Sequence, residues 1–338
     1  MAVKNLFVNM TYTRPGGAIR DFVKRVTSSI PYEEIKMDVI AGSSRGAFIG
    51  QVLSSIKIRM HIYRLKKKEK RNFLTISLDG RYLFADVSMV FHVPDNTNGF
   101  LERLMINYSL KHSKFLISIS DTTSAEILKR FGQLNIFTVK LGVDPRVKIP
   151  RTHHTGIVVS HIGGIAEGNS RRLPMLQIPE VLRLAFPGKK ITFKHVGGRQ
   201  NENEKAFLKK CLENDIVPEF SSNVGNEVIW NTYAESDLYI YMSKKEGYSI
   251  TPMEALMMGT PCLISDISVH REIYGDKPGV KFAINDKVSP DDIKEAYAMG
   301  VSDSYREKAI ERTWNDTMME LRGVFERIAL DMENRRER

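Results

Sequence analysis

The sequence predicts an α/β protein of two doubly wound domains, each a parallel sheet covered by helices on both faces. Three observations carry this. Short apolar, strand-like runs alternate with helical apolar spacing along the chain. The alternation breaks at 147–154, a polar stretch holding Pro150, and then restarts. A length of 338 residues exceeds one ordinary core and suits two. The expected division is an N-terminal domain over 1–149 and a C-terminal domain over 150–314, with a last helix at about 315–338 packing back on the first.

In the first half, Leu6 to Met10 is a strand that stops at the glycine-rich TYTRPGG, and Ala18 to Ser28 is a helix carrying Ile19, Phe22, Val23 and Val26. Ile35 to Ala41 is a second strand and Ala47 to about Lys68 a long helix ending in positive charge, which suits its macrodipole. Phe73 to Ser77 and Val87 to Val93 are strands separated by an Asp79-Gly80 turn. A helix at Leu101 to His112, a strand at Phe115 to Ile119, a helix at Thr123 to Phe131 and a strand at Ile136 to Leu141 complete the half. In the second half the strands are expected at Gly156 to Ser160, Ile191 to Val196, Ile216 to Phe220, Leu238 to Met242, Pro261 to Ser265 and Val280 to Phe282. Helices fall between them at Met175 to Ala185, Lys205 to Leu212, Glu227 to Ala234, Pro252 to Met258 and Pro290 to Met299, and one or two more fill Tyr305 to Glu333. Trp230, Tyr233, Met257 and Met258 read as core at helical spacing. Ligands of such sheets bind beyond the carboxyl ends of the strands, so a cleft between the two domains is the expected site.

With 42% hydrophobic and 27% charged residues the chain reads as globular. Two distant cysteines, Cys211 and Cys262, make neither a disulfide framework nor a zinc cluster and suit a reducing cytoplasm. Met1 to Met10 lacks the pattern of a signal peptide, and no run has the length of a membrane span. The net charge of +10 is concentrated in Lys57 to Arg71, where Glu69 is the single acidic residue. That block fits an anionic membrane surface, with Ile58, Met60, Ile62, Tyr63 and Leu65 on an amphipathic helix. It fits equally a solvated face whose apolar side packs inward. Nucleic acid is the third reading, since no recognition module accompanies the charge.

The chemistry concentrates in Leu238 to Asp276. An apolar strand ends at Ser243, a polar turn carries Glu246 and Gly247, and a helix is expected from Thr251-Pro252, with Thr as cap and Glu254 in its first turn. Strand, turn and helix N-terminus together present free amides where an anionic phosphate can bind. Taken alone, the two glutamates are also what any helix start favours.

The frame Ser243, two spacers, Glu246-Gly247-Tyr248, then Glu254-Ala255-Leu256-Met257, Gly259-Thr260-Pro261, Ser265-Asp266 and Arg271-Glu272 resembles the donor-site signature of family 4 glycosyltransferases. Glu246 and Glu254 stand eight positions apart, matching that family's Glu-x7-Glu motif. FLISISDTTSAEILKRFG at 115–132, IFTVKLGVDP at 136–145, HVGG at 195–198 and Trp314 in RTWNDTMMEL are similar to further family segments. The resemblance therefore spans roughly the whole chain, and it is strongest between Asp237 and Glu272.

It implies a GT-B fold, two Rossmann-like domains facing across a cleft, and a retaining transfer of sugar from a nucleoside-diphosphate sugar. Glu246 would bind a donor-sugar hydroxyl. The backbone of Gly247, Tyr248, Ser249 and Ile250 would line sugar and diphosphate, and Glu254 would take the ribose hydroxyls. Gly16 and Gly17 would form the N-terminal glycine loop, and His92 matches a cleft histidine, with Asp95 equally placed. His161 and His270 read as structural. One departure stands out. The first strand of the second half ends in Ser160-His161-Ile162-Gly163-Gly164, where the family carries an Arg for the diphosphate. Arg171 and Arg172 follow where its Lys is expected and could take the phosphate role.

No Asp-x-Asp occurs, so neither metal nor cofactor is expected beyond the co-substrate. The resemblance leaves open which nucleotide and sugar serve, and whether a glycan, a lipid or a protein accepts. The alternatives are another GT-B sugar-nucleotide enzyme and a catalytically inactive GT-B-like binding or regulatory subunit, the latter favoured by the missing Arg.

Overall fold

The computed structural model describes residues 4–9, 18–29, 33–36, 45–69, 73–78, 82–91, 93, 100–132, 135–145, 149–151, 154–165, 173–197, 201–284 and 287–334. The chain divides into two compact units, Met1–Lys140 with Asn315–Arg338, and Leu141–Trp314.

Unit 1 runs β1 (Lys4–Asn9), α1 (Ala18–Ser29), β2 (Glu33–Lys36), α2 (Arg45–Glu69), β3 (Phe73–Ser77), β4 (Val87–Val90), α3 (Phe100–His112), β5 (Phe115–Ser118), α4 (Asp121–Phe131) and β6 (Asn135–Thr138). Its sheet is parallel, in the order β2-β1-β3-β4-β5-β6. All of β4 and β5 is buried, the mark of strands covered on both faces. Ser120 caps α4 by accepting from the Thr123 amide, and Gly132, with φ 81, ends it. The last helix, α12 (Trp314–Asn334), returns to this unit. There Thr317 donates to the Lys140 carbonyl at 3.1 Å, and the Arg327 guanidinium lies over Phe137. Of the expected strand Ile35 to Ala41, Ile35 and Lys36 lie in β2, and 37–41 lie outside the described residues.

α2 divides the apolar side chains of the basic block between two environments. Ile58 and Ile62 are buried, whereas Met60 and Tyr63 are exposed, as are Ile49, Leu53 and Ile56 on preceding turns. The inward-packing reading therefore holds for only one stripe of the helix. Exposed positions 49, 53, 56, 60 and 63 alternate steps of four and three residues, so they form a second apolar stripe.

Unit 2 begins with β7 (Ile157–Ile162) and continues through a 3₁₀ turn (Leu173–Gln177), α5 (Ile178–Ala185), β8 (Ile191–Gly197), α6 (Glu202–Glu213), β9 (Ile216–Ser222), α7 (Asn226–Glu235) and β10 (Leu238–Tyr241). It closes with α8 (Ile250–Met257), β11 (Cys262–Ser265), α9 (Ser268–Tyr274), β12 (Val280–Ala283), α10 (Pro290–Ala298) and α11 (Asp303–Ala309). The parallel order is β12-β11-β10-β7-β8-β9. Counted from its own first strand this is 3-2-1-4-5-6, and the chain reverses direction across the sheet between β7 and β10. Ile157, Val159, Phe193, Phe207, Leu238, Ile240 and Leu263 form the core around these central strands.

Candidate functional site

Glu246 follows β10, the strand beside the crossover point of unit 2, so the topology delivers it to the carboxyl end of the sheet. The structure holds this carboxylate by one oxygen. Tyr241 Oη donates to Glu246 Oε1 at 2.9 Å, and Ser243 Oγ donates to the same atom at 2.7 Å. Tyr241 is the last residue of the buried strand, and Ser243 is anchored through its amide to Ser265 Oγ at 2.7 Å. The side chain is thus fixed from two rigid points, and Oε2 meets no donor among the described residues.

The next residues set the N-terminus of α8. Gly247 and Tyr248 are buried, and Tyr248 Oη donates to the Leu141 carbonyl at 2.6 Å. Burial pushes the Tyr248 phenol well above its ordinary range, so it remains a neutral donor. Ser249 is the N-cap, with left-handed φ 69 and ψ 76. Such a conformation costs a side-chain-bearing residue energy and needs support. Tyr274 Oη supplies it by donating to the Ser249 carbonyl, and Ser249 Oγ meets His270 Nε2 at 3.0 Å.

The His270 contacts fix the direction of that bond. Nδ1 lies 2.8 Å from the Ser265 carbonyl, which only accepts, so Nδ1 carries the proton. Burial, the dominant effect, lowers the pKa of the ring below the usual 6.5, so the imidazole is neutral and Nε2 accepts from Ser249. Ser249 makes no side-chain cap bond to the helix. The first amides of α8 therefore lack the hydroxyl that a serine cap ordinarily gives them, beside a glutamate with an open oxygen.

The expected helix start is corrected here. α8 begins at Ile250 with Ser249 as cap, so Thr251 is not the cap and Glu254 lies beyond the first turn. Pro252 misled because its missing amide is harmless anywhere among the first unpaired N–H groups, not only at the first position. Glu254 Oε2 accepts from Tyr233 Oη at 3.0 Å. Tyr233 is fully buried, and desolvation, reinforced by Glu254, holds its phenol protonated. Trp230, expected in the core with it, is only half-buried and tilts against Tyr233 at 5.8 Å.

Of the remaining site residues, Gly16, Gly17, His92, Arg171 and Arg172 lie outside the described residues, as does Asp95. His161, in the strand end where the expected Arg is missing, is buried in β7 with Nδ1 2.9 Å from the Ile240 carbonyl. Its ring stacks on His195 and Tyr241 at 5.4 and 5.7 Å. Tyr233, Tyr241 and Tyr274 received no site role from the sequence. Their signal is weak, because a tyrosine in an apolar run reads as core and only its hydroxyl partner distinguishes it. Both cysteines are buried; burial pushes the Cys211 thiol up to about 12 and Cys262 well above its usual value, so neither is a nucleophile. Among the described residues no group of three or more His, Cys, Asp and Glu is placed to hold a metal.

The family described as Glycosyl transferases group 1 matches residues 177–314. The candidate site residues from Glu246 to Glu254, with Tyr233, Tyr241, His270 and Tyr274, all fall inside the matched segment. A stretch of 115 residues is 25% identical to the GtfA subunit of a UDP-N-acetylglucosamine–peptide N-acetylglucosaminyltransferase from Streptococcus pneumoniae. It covers 32% of this chain and 22% of that relative's length.

Among solved structures, WaaG, a glycosyltransferase involved in lipopolysaccharide biosynthesis, superposes with a TM-score of 0.69 at 12% identity, covering 94% of this chain and 98% of its own. Anabaena HepE in complex with UDP gives 0.69 at 12% identity, covering 96% and 100%. The N-terminal domain of Candida albicans trehalose-6-phosphate phosphatase gives 0.68 at 9%, covering 96% and 97%. The chain shares the GT-B fold of the glycosyltransferase WaaG.

Proposed function

We propose that the protein is a retaining glycosyltransferase that moves a sugar from a nucleoside-diphosphate sugar to a glycan, lipid or protein acceptor. The observation that carries this reading is the pairing of an uncapped α8 N-terminus with Glu246 held by one oxygen. The amides and the helix dipole suit the diphosphate. Glu246 Oε2 suits a sugar hydroxyl, and Glu254, oriented by Tyr233, suits the ribose diol. The group 1 domain match and the similarity to a UDP-N-acetylglucosamine-using subunit support a sugar nucleotide as donor.

In this mechanism the bond between anomeric carbon and diphosphate oxygen breaks as charge builds on the leaving phosphate. Amides already aimed at that charge lower the barrier without reorganising. In this reading Arg171 or Arg172 supplies further positive charge, Gly16 and Gly17 belong to donor binding, and His92 serves the transfer. No metal takes part. Acceptor attack comes from the face the diphosphate leaves, so the anomeric configuration is retained, and Glu246 binds donor hydroxyls instead of acting as a nucleophile.

The lack of an arginine in Ser160-His161-Ile162-Gly163-Gly164, where the resemblance expects one, favours a second reading, a catalytically inactive GT-B-like subunit that binds a sugar nucleotide without turning it over. A thermal-shift screen against UDP-, GDP-, ADP- and dTDP-sugars, with Mg²⁺ or EDTA, followed by donor hydrolysis, separates the two. A ligand at about 100 times its dissociation constant stabilises the fold by roughly 2.7 kcal/mol. A metal-independent shift with turnover supports transfer, and a shift without turnover supports the subunit. No shift with any donor overturns both.

Among the described residues no helix is long and apolar enough to cross a membrane. We place the enzyme in the cytoplasm, held peripherally on anionic membrane through Lys57 to Arg71. The exposed stripe of Ile56, Met60 and Tyr63 on α2 supports this, since it offers apolar contact beside the charge. Nucleic acid is not a partner in this reading.

A further inference from the structure

Unit 1 contains a cavity of about 460 Å³ away from the carboxyl end of its sheet. Asp86 and Lys114, which line it, immediately precede β4 and β5, so it opens at the amino ends of the strands. Sugar-nucleotide ligands of open α/β sheets bind at the opposite ends. The cavity is therefore separate from the donor site, and the inference below does not rest on the proposed transfer reaction.

Its walls are built for an anion. Arg59, Tyr63 and Lys66 line it from α2, and their spacing of four and three residues puts them on one helix face. Tyr108 and His112 line it from α3, with rings stacked at 4.0 Å and 17°. Asp86 is the carboxylate of the lining among the described residues, and it is already engaged. One oxygen takes Lys114 Nζ at 2.8 Å, and the other accepts Thr75 N–H at 3.1 Å and Thr75 Oγ at 2.8 Å. Arg59 lays its guanidinium 4.5 Å from the centre of the Phe84 ring, which sets its plane against the wall. Arg59 and Lys66 thus bring two cationic side chains to a concave, aromatic-rimmed space whose carboxylate among the described residues is paired with Lys114.

We infer that this cavity is a binding site for a phosphate ester. Two cations on one helix face, beside an aromatic wall that includes Tyr63 and Tyr108, match a compact anion joined to an organic group. The ester can reach the site as a lipid headgroup or as a soluble molecule. The lipid source has structural support, because exposed Ile56, Met60 and Tyr63 on α2 and Leu104 on α3 lead up to the rim.

The test uses the full chain and two probes. Isothermal titration with glycerol 3-phosphate reads the soluble source. Co-sedimentation with phosphatidylcholine vesicles, with and without phosphatidylglycerol, reads the lipid source. The double variant Arg59→Gln, Lys66→Gln is compared with Arg64→Gln, Lys68→Gln, which removes the same charge from exposed positions outside the lining. The cavity pair is expected to lose about tenfold more affinity than the control pair, the scale of a lost charge-assisted hydrogen bond. Binding to glycerol 3-phosphate assigns the phosphate ester alone as sufficient, and binding only to phosphatidylglycerol vesicles assigns the lipid. Equal losses in the two pairs overturn the cavity in favour of a diffuse basic face, and no binding to either probe overturns it outright. Thermal melts confirm folding, and the single variant Lys66→Gln replaces the cavity pair if that pair fails to fold.

Discussion

Ser249 gives its hydroxyl hydrogen to His270 Nε2 at 3.0 Å, and in doing so leaves the amides of α8 without their usual serine cap. A cap bond ordinarily contributes about 1 kcal/mol, so forgoing it makes sense where another oxygen is to occupy the helix start. The bond also ties the α8 N-terminus to α9 and, through Ser265, to β11.

The first prediction concerns acid. His270 has a folded pKa below its ordinary 6.5 because it is buried. As pH falls through 6.5 the unfolded chain takes up this proton before the folded one does, so the stability contributed at higher pH is lost down to the folded pKa. Denaturant midpoints should fall below pH 6.5, and His270→Gln should flatten that part of the slope. An unchanged slope in a folded His270→Gln protein would count against a neutral buried ring.

Glu246 should depend on its two donors. Tyr241→Phe combined with Ser243→Ala removes both bonds to Oε1. Loss of hydrogen bonds to a charged group is worth roughly 1.5–3 kcal/mol, so kcat/KM should fall at least about tenfold. Each single variant should be milder, because the other donor still holds the carboxylate. Steady-state kinetics on the single and double variants measure this.

Glu254 should behave differently from Glu246. Tyr233→Phe removes the phenol's bond to Glu254 Oε2. Affinity for nucleoside diphosphate and for the sugar nucleotide should weaken by the same factor, about tenfold, because the ribose is common to both. Titration of both ligands against wild type and Tyr233→Phe tests it, and a loss confined to the sugar nucleotide would contradict the assignment.

Gly142 is a packing prediction within unit 2. A Cβ built there stands 2.1 Å from the Thr313 carbonyl oxygen and 2.2 Å from its carbon, both backbone atoms that cannot swing aside. Gly142→Ala should destabilise the protein by about 1–3 kcal/mol or more, the range for overpacking. Urea unfolding measures this directly.

The legibility of the chain followed local pattern. β4, β5, β10 and β11 are short buried runs, and they stand close to where apolar spacing places them. α9 has little signal in the sequence because it is only seven residues long and Ile267 gives it no side-chain cap. The segment Met175 to Ala185 read as one helix but opens as a 3₁₀ turn, with α5 starting only at Ile178 beside Pro179. In the site, the Glu246 to Glu254 frame was legible from motif spacing. The tyrosine hydroxyls that hold it were not, because Tyr233, Tyr241 and Tyr274 reach their partners across 21, 5 and 25 residues of chain. Only the folded sheet brings Tyr233 and Tyr274 to theirs.

The most direct test of the proposed donor site compares wild type and folded Glu246→Ala for binding and transfer, with the nucleotide sugar found by the donor screen and its free nucleoside diphosphate. The variant should keep its affinity for the free nucleoside diphosphate, lose the extra affinity for the sugar, and show no transfer. Full transfer by folded Glu246→Ala would contradict the assignment of Glu246 to the donor sugar and, with it, the proposed site.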